Sequence, residues 1–547
     1  MKQHLRQWLV PIVLFVLTLI FHLTFNKIFI LDIEESTHIG KVMQTMQGGL
    51  PLKDFVHFAY APVHYFFFAA LFWLFSPSLI VERLAWTVLR ALVSTLMFVT
   101  ARRLMPSKYA LFPVVLISVL PCSHWKTFYP LFTLLNLLFV FHLLDGFSKK
   151  WVVRSGLMVG LTLCFRQDLA IIIAGTTVLC ILLNSFRIIK EKALSIKAQI
   201  KFIVLRNSQM LSLYFAMMLL PFLPVLVYYF LRGSAFDLLW EMFIGHPSRH
   251  LKIVHTMPYH FPGITKLIQW PFDWDVLFLW LPLVLFLFIL IGQVYRLLKE
   301  KSLCLENRRI SFLLLVSVLV FNQTFLYAIF ERLLESAAPI YLCMGYILFH
   351  VYSKIRNKEP DRIRITTARR VFYSTALAIL CLGSVFFVYY GLATKYVNNR
   401  LYTARNPAAV IRSEHGIWLP KKWFHKRLAR AQTFLKRHGS RQDLVLFLNG
   451  SLNYFITDQK GLENLEFEVK PLTVEALKQD LEIIAPRFLA IENWAFYTIQ
   501  RFPPYLREYL TEKYAFRIKR NVYHIFENKE TVASFSGSSD EVEPLSP

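Results

Sequence analysis

Long apolar runs recur along this chain and constrain its fold more than any other feature. Residues 8–25, 211–231, 276–294, 312–328 and 371–390 each approach the ~17–25 apolar residues that a helix needs to cross a bilayer. The hydrophobic content of 56% and the mean hydropathy of +0.45 also indicate lipid as the solvent. The chain is therefore expected to be an all-α polytopic membrane bundle of about 11–13 transmembrane helices.

Basic residues lie mainly between these apolar runs. The formal charge of +26 comes from 61 Lys and Arg against 35 Asp and Glu, and the cations concentrate in residues 149–154, 187–206, 296–309 and 354–370. This pattern is typical of positive-inside topology and not of nucleic-acid binding. A lesser alternative is that a basic segment contacts anionic lipid headgroups.

With the basic segments in the cytoplasm, the first outer loop is residues 31–60 and a second is residues 232–274. The transmembrane domain covers residues 1–393 of a multi-pass protein of the cell inner (cytoplasmic) membrane. Residues 62–75 form either a re-entrant segment or a full crossing. Residues 157–185 are predicted to be two short helices that meet near Arg166 and Asp168, because one crossing would put an adjoining basic loop on the wrong side.

The character of the sequence changes after residue 393. Residues 421–438 and 474–484 are helix-like, residues 444–448 and 488–491 are strand-like, and residues 516–518 and 522–526 suggest a hairpin. We expect a small soluble α/β domain at 394–530, outside the membrane, and a disordered tail at 531–547.

Three acids stand at the mouth of the first crossing: Asp32, Glu34 and Glu35. A solvated helix end is the simple explanation for one acid at such a place. A cluster of three, followed by a long loop with turn formers at Gly48, Gly49 and Pro51, favours a functional site.

Charges also occur within or beside apolar segments. Each costs roughly 2.5–3.5 kcal/mol at a bilayer centre, so such residues pair, face a cavity or lie near the membrane surface. Arg166 and Asp168 are the most informative of these residues. They either line a site for an anionic ligand or form an ion pair that only holds two helices together. The others are Glu82, Arg83, Arg90, Glu331, Arg332 and Glu335.

Histidines and cysteines give little support for a metal site. His246, His250, His255 and His260 are interrupted by prolines, which favours a mobile lid over a cavity rather than a ligand set. The six cysteines show no paired CxxC spacing. No cofactor is firmly indicated, and a divalent metal stays possible.

Motifs along residues 34–168 occur in a recognisable order. The chain resembles multi-pass glycosyltransferases of the GT-C superfamily, more narrowly the bacterial branch related to protein O-mannosyltransferases and aminoarabinose transferases. The motifs are the acidic pair, Gly48-Gly-x-Pro51-x-x-Asp54, Ala61-Pro-x-x-Tyr65, the segment 78–84, and Gly156-Leu-x-x-Gly160 followed by Arg166-Gln-Asp168.

The resemblance implies a polyprenyl-phosphate sugar donor and a lipid, glycan or protein acceptor. It places the family's acidic pair on Glu34 and Glu35, with Glu where Asp is usual, so Asp32 is an alternative. Residues 122–127 lack the acid common in the second outer loop of the superfamily, which leaves metal dependence open.

The expected reaction is inverting transfer of a hexosyl or pentosyl group at the outer membrane face. The general base is Glu35, Glu34 or Asp32, and Arg166, Arg83 or Arg332 contacts the phosphate. Asp168 orients Arg166, and Asp54, His64 and Glu335 complete the expected substrate-binding set. The main alternative is a transporter or flippase of lipid-linked or anionic substrates, which would show matching halves; a non-catalytic envelope scaffold is a second.

Overall fold

The structure is a computed structural model of the whole chain. It describes residues 2–26, 33–54, 61–120, 124–190, 196–245, 305–326, 333–356, 410–412, 418–420, 430–439, 443–448, 466–470, 481–492, 504–518 and 523–530, and a few positions within 247–294 and 385–392. Two compact units are present. The larger unit holds Met1–Thr24, His57–Phe67 and Leu84–Val397, and the smaller unit holds Phe25–Val56, Phe68–Arg83 and Asn398–Pro547. The boundary expected from sequence at residue 394 stays a prediction.

Helices make up the described part before residue 357. Pro62 starts one of them at the position where a missing N–H costs nothing, and the Ser78 hydroxyl caps another by accepting the Val81 N–H at 3.2 Å. Numbered among the described elements, they are α1 Lys2–Phe25, α2 Ile33–Met46, α3 Pro62–Phe75, α4 Leu79–Ala101, α5 Ser107–Val119, α6 Phe128–Asp145, α7 Lys149–Phe165, α8 Gln167–Lys190, α9 Ile196–Leu231, α10 Ala235–Trp240, α11 Leu305–Leu326 and α12 Leu333–Arg356.

Five described helices are long and apolar enough to cross a membrane. They are Trp8–Phe25, Leu79–Ala101, Phe128–Asp145, Gln167–Asn184 and Val204–Leu231. Most of the Phe128–Asp145 span is buried, whereas most of the first and last spans is exposed, as expected for a central helix and for two lipid-facing helices. The predicted helical membrane bundle is confirmed, and the number of 11–13 crossings stays a prediction. Pro62–Phe75 is shorter than a usual span.

The predicted break near Arg166 is present, but the helices that meet there are not short. Helix α7 has 17 residues and α8 has 24, so each is about as long as the ~30 Å hydrocarbon core requires. Arg166 itself is extended, with φ −148° and ψ 93°. The chain turns back at this residue, which brings both flanking basic segments toward one end of the larger unit.

Helix α7 packs on α9 through two glycines. A Cβ atom at Gly156 would lie 2.6 Å from the Tyr214 carbonyl oxygen, and one at Gly160 would overlap the Met218 carbonyl oxygen. Small residues four apart allow the two backbones to approach closely, as is common between membrane helices. This contact fixes α7, and with it the position of the Arg166 break.

Basic residues from several segments meet at one end of the larger unit. The Arg309 guanidinium donates to Asp145 and to the Arg103 carbonyl oxygen, and Arg103 reaches Asp145 at 3.3 Å. The Arg206 guanidinium lies 5.3 Å from the centre of the Phe147 ring. We call this the basic end. The basic end contains residues from three of the basic segments that the sequence pattern predicts to be cytoplasmic: 149–154, 187–206 and 296–309.

The C-terminal part contains a five-stranded sheet of order β4-β3-β5-β7-β6. Strand β3 pairs in parallel with β4 and β5, and β7 pairs antiparallel with β5 and β6. This confirms the predicted small α/β domain, with strands at the predicted runs 444–448 and 488–491. The elements are β1 Val410–Arg412, β2 Trp418–Pro420, α13 Arg430–His438, β3 Leu444–Leu448, β4 Glu466–Lys470, β5 Phe488–Glu492, α14 Pro504–Lys513, β6 Tyr514–Ile518 and β7 Tyr523–Asn528.

Candidate functional site

Arg166 forms the centre of a polar cluster where α7 gives way to α8. Its Nε and Nη2 atoms donate to the two carboxylate oxygens of Asp168 at 3.2 and 2.9 Å, a bidentate pair. The Arg166 side chain is 4% exposed and the Asp168 side chain 19%. A guanidinium carries five N–H donors, of which this pair uses two. The cluster therefore holds a buried cation in a fixed orientation beside a carboxylate that reaches the surface.

Tyr129, in the first turn of α6, completes this cluster. Its hydroxyl donates to Asp168 Oδ2 at 2.5 Å, and its ring lies under the Arg166 guanidinium at 3.8 Å from the ring centre. The tyrosine thus contacts the cation by its face and the carboxylate by its hydroxyl. A planar cation fixed in this way suits an anion such as a phosphate, which binds two donors at once.

Aromatic rings support the cluster from the side. Phe128 packs on Phe165 at 4.8 Å, on His64 at 5.1 Å and on Trp86 at 5.1 Å between ring centres. His64 is fully buried among these rings. Beside them, the Ala61 N–H donates to the Phe165 carbonyl oxygen at 3.3 Å, so the chain leaving the first predicted outer loop meets the Arg166 break.

This cluster lies at the end of α7 away from the basic end. The 17 residues of α7 correspond to about 25 Å along the helix axis. That distance is close to the thickness of the hydrocarbon core of a bilayer. Arg166 and Lys149 are therefore placed near opposite membrane surfaces if α7 crosses the bilayer.

The smaller unit contains a different buried polar cluster. His38 Nδ1 lies 2.7 Å from Glu82 Oε1, with the two side chains 1% and 0% exposed. The His38 ring also meets the Phe68 ring edge-on at 5.0 Å. Next to Glu82, the Arg83 guanidinium donates to the Asn26 carbonyl oxygen at 3.0 Å and is buried. This cluster ties α2 to the first turn of α4.

The predicted catalytic acids belong to the start of α2. Glu34 and Glu35 lie in the first turn of this helix, where the helix dipole favours carboxylates. Their side chains lie outside the described residues, as does Asp32 altogether. Farther along the same helix, burial lowers the pKa of Lys41 to about 8, and its ammonium donates to Gln44 at 3.2 Å.

The remaining predicted site residues are only partly described. Asp54 is exposed and accepts the Leu50 N–H at 2.7 Å, which closes a turn over residues 50–54, just after Gly48 at φ +94°. Arg332 and the Glu335 side chain lie outside the described residues, as do the four histidines of the second outer loop. Among the described side chains, no three His, Cys, Asp or Glu residues are grouped so that they could hold a metal ion.

The structure thus joins Arg166 to Asp168 directly and to His64 through Phe128 and Phe165. Three further residues escaped the sequence analysis: Tyr129 and His38, which contact the clusters just described, and Lys126, which is 2% exposed in the 3₁₀ turn before α6. Lys126 lies in residues 122–127, the segment that lacks the acid common in the superfamily. Its position directly before an apolar run is the sequence feature that could have identified it as a candidate.

Comparisons with known proteins give structural matches alone. No protein-family model matches the chain, and no match was found among curated proteins. The archaeal oligosaccharyltransferase AglB from Archaeoglobus fulgidus, solved with an inhibitory peptide and a dolichol-phosphate, aligns with 95% of this chain and 74% of its own at 10% identity and a TM-score of 0.49. ArnT from Cupriavidus metallidurans, solved with undecaprenyl phosphate, aligns with 98% of this chain and 100% of its own at 11% identity and a TM-score of 0.49.

Both structural alignments have TM-scores below 0.5. The similarity extends over nearly the whole chain. At this identity and score it concerns overall architecture, and it assigns a role to no residue.

Proposed function

We propose that this chain is a glycosyltransferase that moves a sugar from a polyprenyl-phosphate carrier to an acceptor at the outer face of the cytoplasmic membrane. The observation that carries the proposal is the Arg166 cluster. A buried arginine is held by Asp168 and Tyr129 at the end of α7 opposite the basic end. Because basic segments favour the cytoplasmic side, this cluster belongs near the outer surface, where a lipid-linked phosphate is accessible.

The chemistry needs a base and a cation rather than a strong acid. The acceptor hydroxyl attacks the anomeric carbon and loses its proton to a carboxylate, while the bond from that carbon to the phosphate oxygen breaks. The electron pair leaves with polyprenyl phosphate, a stable anion that Arg166 stabilises. Attack opposite the leaving group inverts the anomeric configuration, in contrast to the double displacement of retaining glycosidases.

The carboxylates at the start of α2 are assigned the role of general base, with Glu35, Glu34 and Asp32 as the three candidates. Asp168 orients Arg166 through the bidentate pair. Arg83 and Arg332 are the other candidates for phosphate contacts. Asp54, His64 and Glu335 are proposed contacts to the sugar or the acceptor.

A donor panel tests this function. Purified protein in detergent is given radiolabelled polyprenyl-phosphate sugars, hexoses and pentoses, with and without a chelator, together with lipid, glycan and protein acceptors. We expect label to appear on one acceptor class and polyprenyl phosphate to be released in equal amount. Chelator sensitivity reports whether a divalent metal takes part. Failure of every donor to react would contradict the proposal.

Variants separate the two roles. Replacing the general base by its amide should lower the transfer rate about 10²–10⁴-fold, and the Gln and Asn variants of Glu35, Glu34 and Asp32 identify which acid acts. Arg166→Lys keeps the charge but loses the planar pair with Asp168, so it should mainly weaken donor binding. An Arg166→Lys enzyme with unchanged KM for the donor would remove this residue from the phosphate site.

A further inference from the structure

A cavity of about 380 Å³ opens at the basic end, apart from the Arg166 cluster. One wall is the linker from α6 to α7 with the first residue of α7, and the other is a stretch of α9. The residues that matter here are Phe147, Ser148 and Lys149 on one wall and Leu205, Arg206 and Gln209 on the other. None of the residues that line it is acidic.

Two cations from different helices share this cavity. The Arg206 guanidinium is placed over the Phe147 ring at 5.3 Å, which restricts where its charge can lie. Lys149 is exposed and flexible. Ser148 holds the N-cap position of α7 without making a side-chain capping bond, so its hydroxyl can serve a ligand. The cavity therefore offers two positive charges and polar hydrogen-bonding groups to an anion.

The setting of the cavity points to a lipid. It lies where α6 ends and α7 begins, at the basic end of the larger unit. From this boundary α9 continues into the membrane with an exposed apolar stripe at every fourth residue: Phe215, Leu219, Leu223 and Val227. A headgroup in the cavity would leave its acyl chains beside this stripe.

We infer that this cavity binds an anionic membrane phospholipid, with its phosphate between Lys149 and Arg206 and its acyl chains along α9. Charge complementarity selects this occupant, because a zwitterionic lipid brings its own ammonium group to a site that already holds two cations. Basic pockets between membrane helices bind acidic headgroups in this manner. The site lies about 25 Å along α7 from Arg166, so it is distinct from the proposed donor site.

Lipid titration of the purified protein tests the inference. Full-length protein in neutral detergent is titrated with fluorescent phosphatidylglycerol and, separately, with phosphatidylcholine carrying the same chains. Each basic residue beside an acidic lipid contributes about fivefold in affinity. The Lys149→Gln/Arg206→Gln double variant should therefore bind phosphatidylglycerol about 30-fold more weakly. The single Lys149→Gln variant, at an exposed position, gives a smaller loss without risk to folding.

Arg232→Gln is the matched control. Arg232 directly follows the last residue of α9 and lies over the Tyr228 ring at 5.7 Å. It is therefore at the opposite end of the helix from the cavity. Its loss should leave phosphatidylglycerol binding unchanged. Equal affinity for both phospholipids, an Arg232→Gln effect as large as that of the double variant, or displacement of bound phosphatidylglycerol by polyprenyl phosphate at lower concentration would each overturn the inference.

Discussion

The buried pair of His38 and Glu82 allows a quantitative prediction about the helix that carries the proposed base. His38 Nδ1 and Glu82 Oε1 are 2.7 Å apart, and both side chains are almost completely shielded from water. Removing one partner breaks a buried hydrogen-bonded pair, which costs about 3–5 kcal/mol. We therefore expect His38→Phe and Glu82→Leu each to lower the free energy of unfolding by about this amount, and the double variant to lose less than either single change.

Denaturant titration in one detergent, followed by a spectroscopic probe on α2, gives the unfolding midpoints. The four proteins compared are the unmodified protein, the two single variants and the double variant. Lys513 and Glu530 provide a matched control, because their 2.6 Å contact has nearly the same length but is exposed at both ends. Lys513→Gln should not change the midpoint measurably. Single variants at His38 and Glu82 that behave like Lys513→Gln, or a double variant worse than both singles, would refute the reasoning.

Three further predictions concern packing, pH and the Arg166 cluster. Gly160→Ala should destabilise the protein by about 1–3 kcal/mol, because the new methyl group meets the α9 backbone, whereas Gly175→Ala, with open space around it, should be neutral or stabilising in the same melting assay. Burial lowers the pKa of Lys41 from 10.5 to about 8, so the folded state binds fewer protons than the unfolded state between these values and stability should rise with pH across this window. Lys41→Met should remove that rise and increase stability at pH 7; a pH profile identical to that of the unmodified protein would contradict this. Tyr129→Phe keeps the ring under Arg166 but loses the bond to Asp168, so the KM for donor should rise roughly fivefold or more, and an unchanged KM would exclude the tyrosine from orienting the pair.

Local patterns predicted much of the architecture. Apolar length predicted the spans at residues 8–25 and 211–231, and the placement of basic segments predicted the reversal at Arg166. Strands β3 and β5 are short apolar runs, Leu444–Leu448 and Phe488–Glu492, of the kind that fills the buried centre of a parallel sheet. Strand β4, Glu466–Lys470, was missed although its charged and apolar residues alternate, which is the usual signal of a half-buried strand.

The polar contacts were harder to predict because they join residues far apart in sequence. His38 and Glu82 are separated by 44 positions, and Tyr129 and Asp168 by 39. Helical periodicity carries no information about such partners. Arg166 and Asp168 are two residues apart, so their pairing could be proposed from sequence, whereas the tyrosine that completes the cluster could not.

The central claim is that this chain catalyses sugar transfer and does not merely carry a lipid-linked sugar. The most direct measurement uses sealed vesicles that contain the purified protein and a radiolabelled polyprenyl-phosphate sugar. Three quantities are measured together: label on the acceptor, intact donor that has crossed the vesicle membrane, and released polyprenyl phosphate. We predict covalent transfer with equal release of polyprenyl phosphate, both lost when the acids at the start of α2 become amides. Movement of intact donor across the vesicle membrane without any covalent transfer would contradict the account.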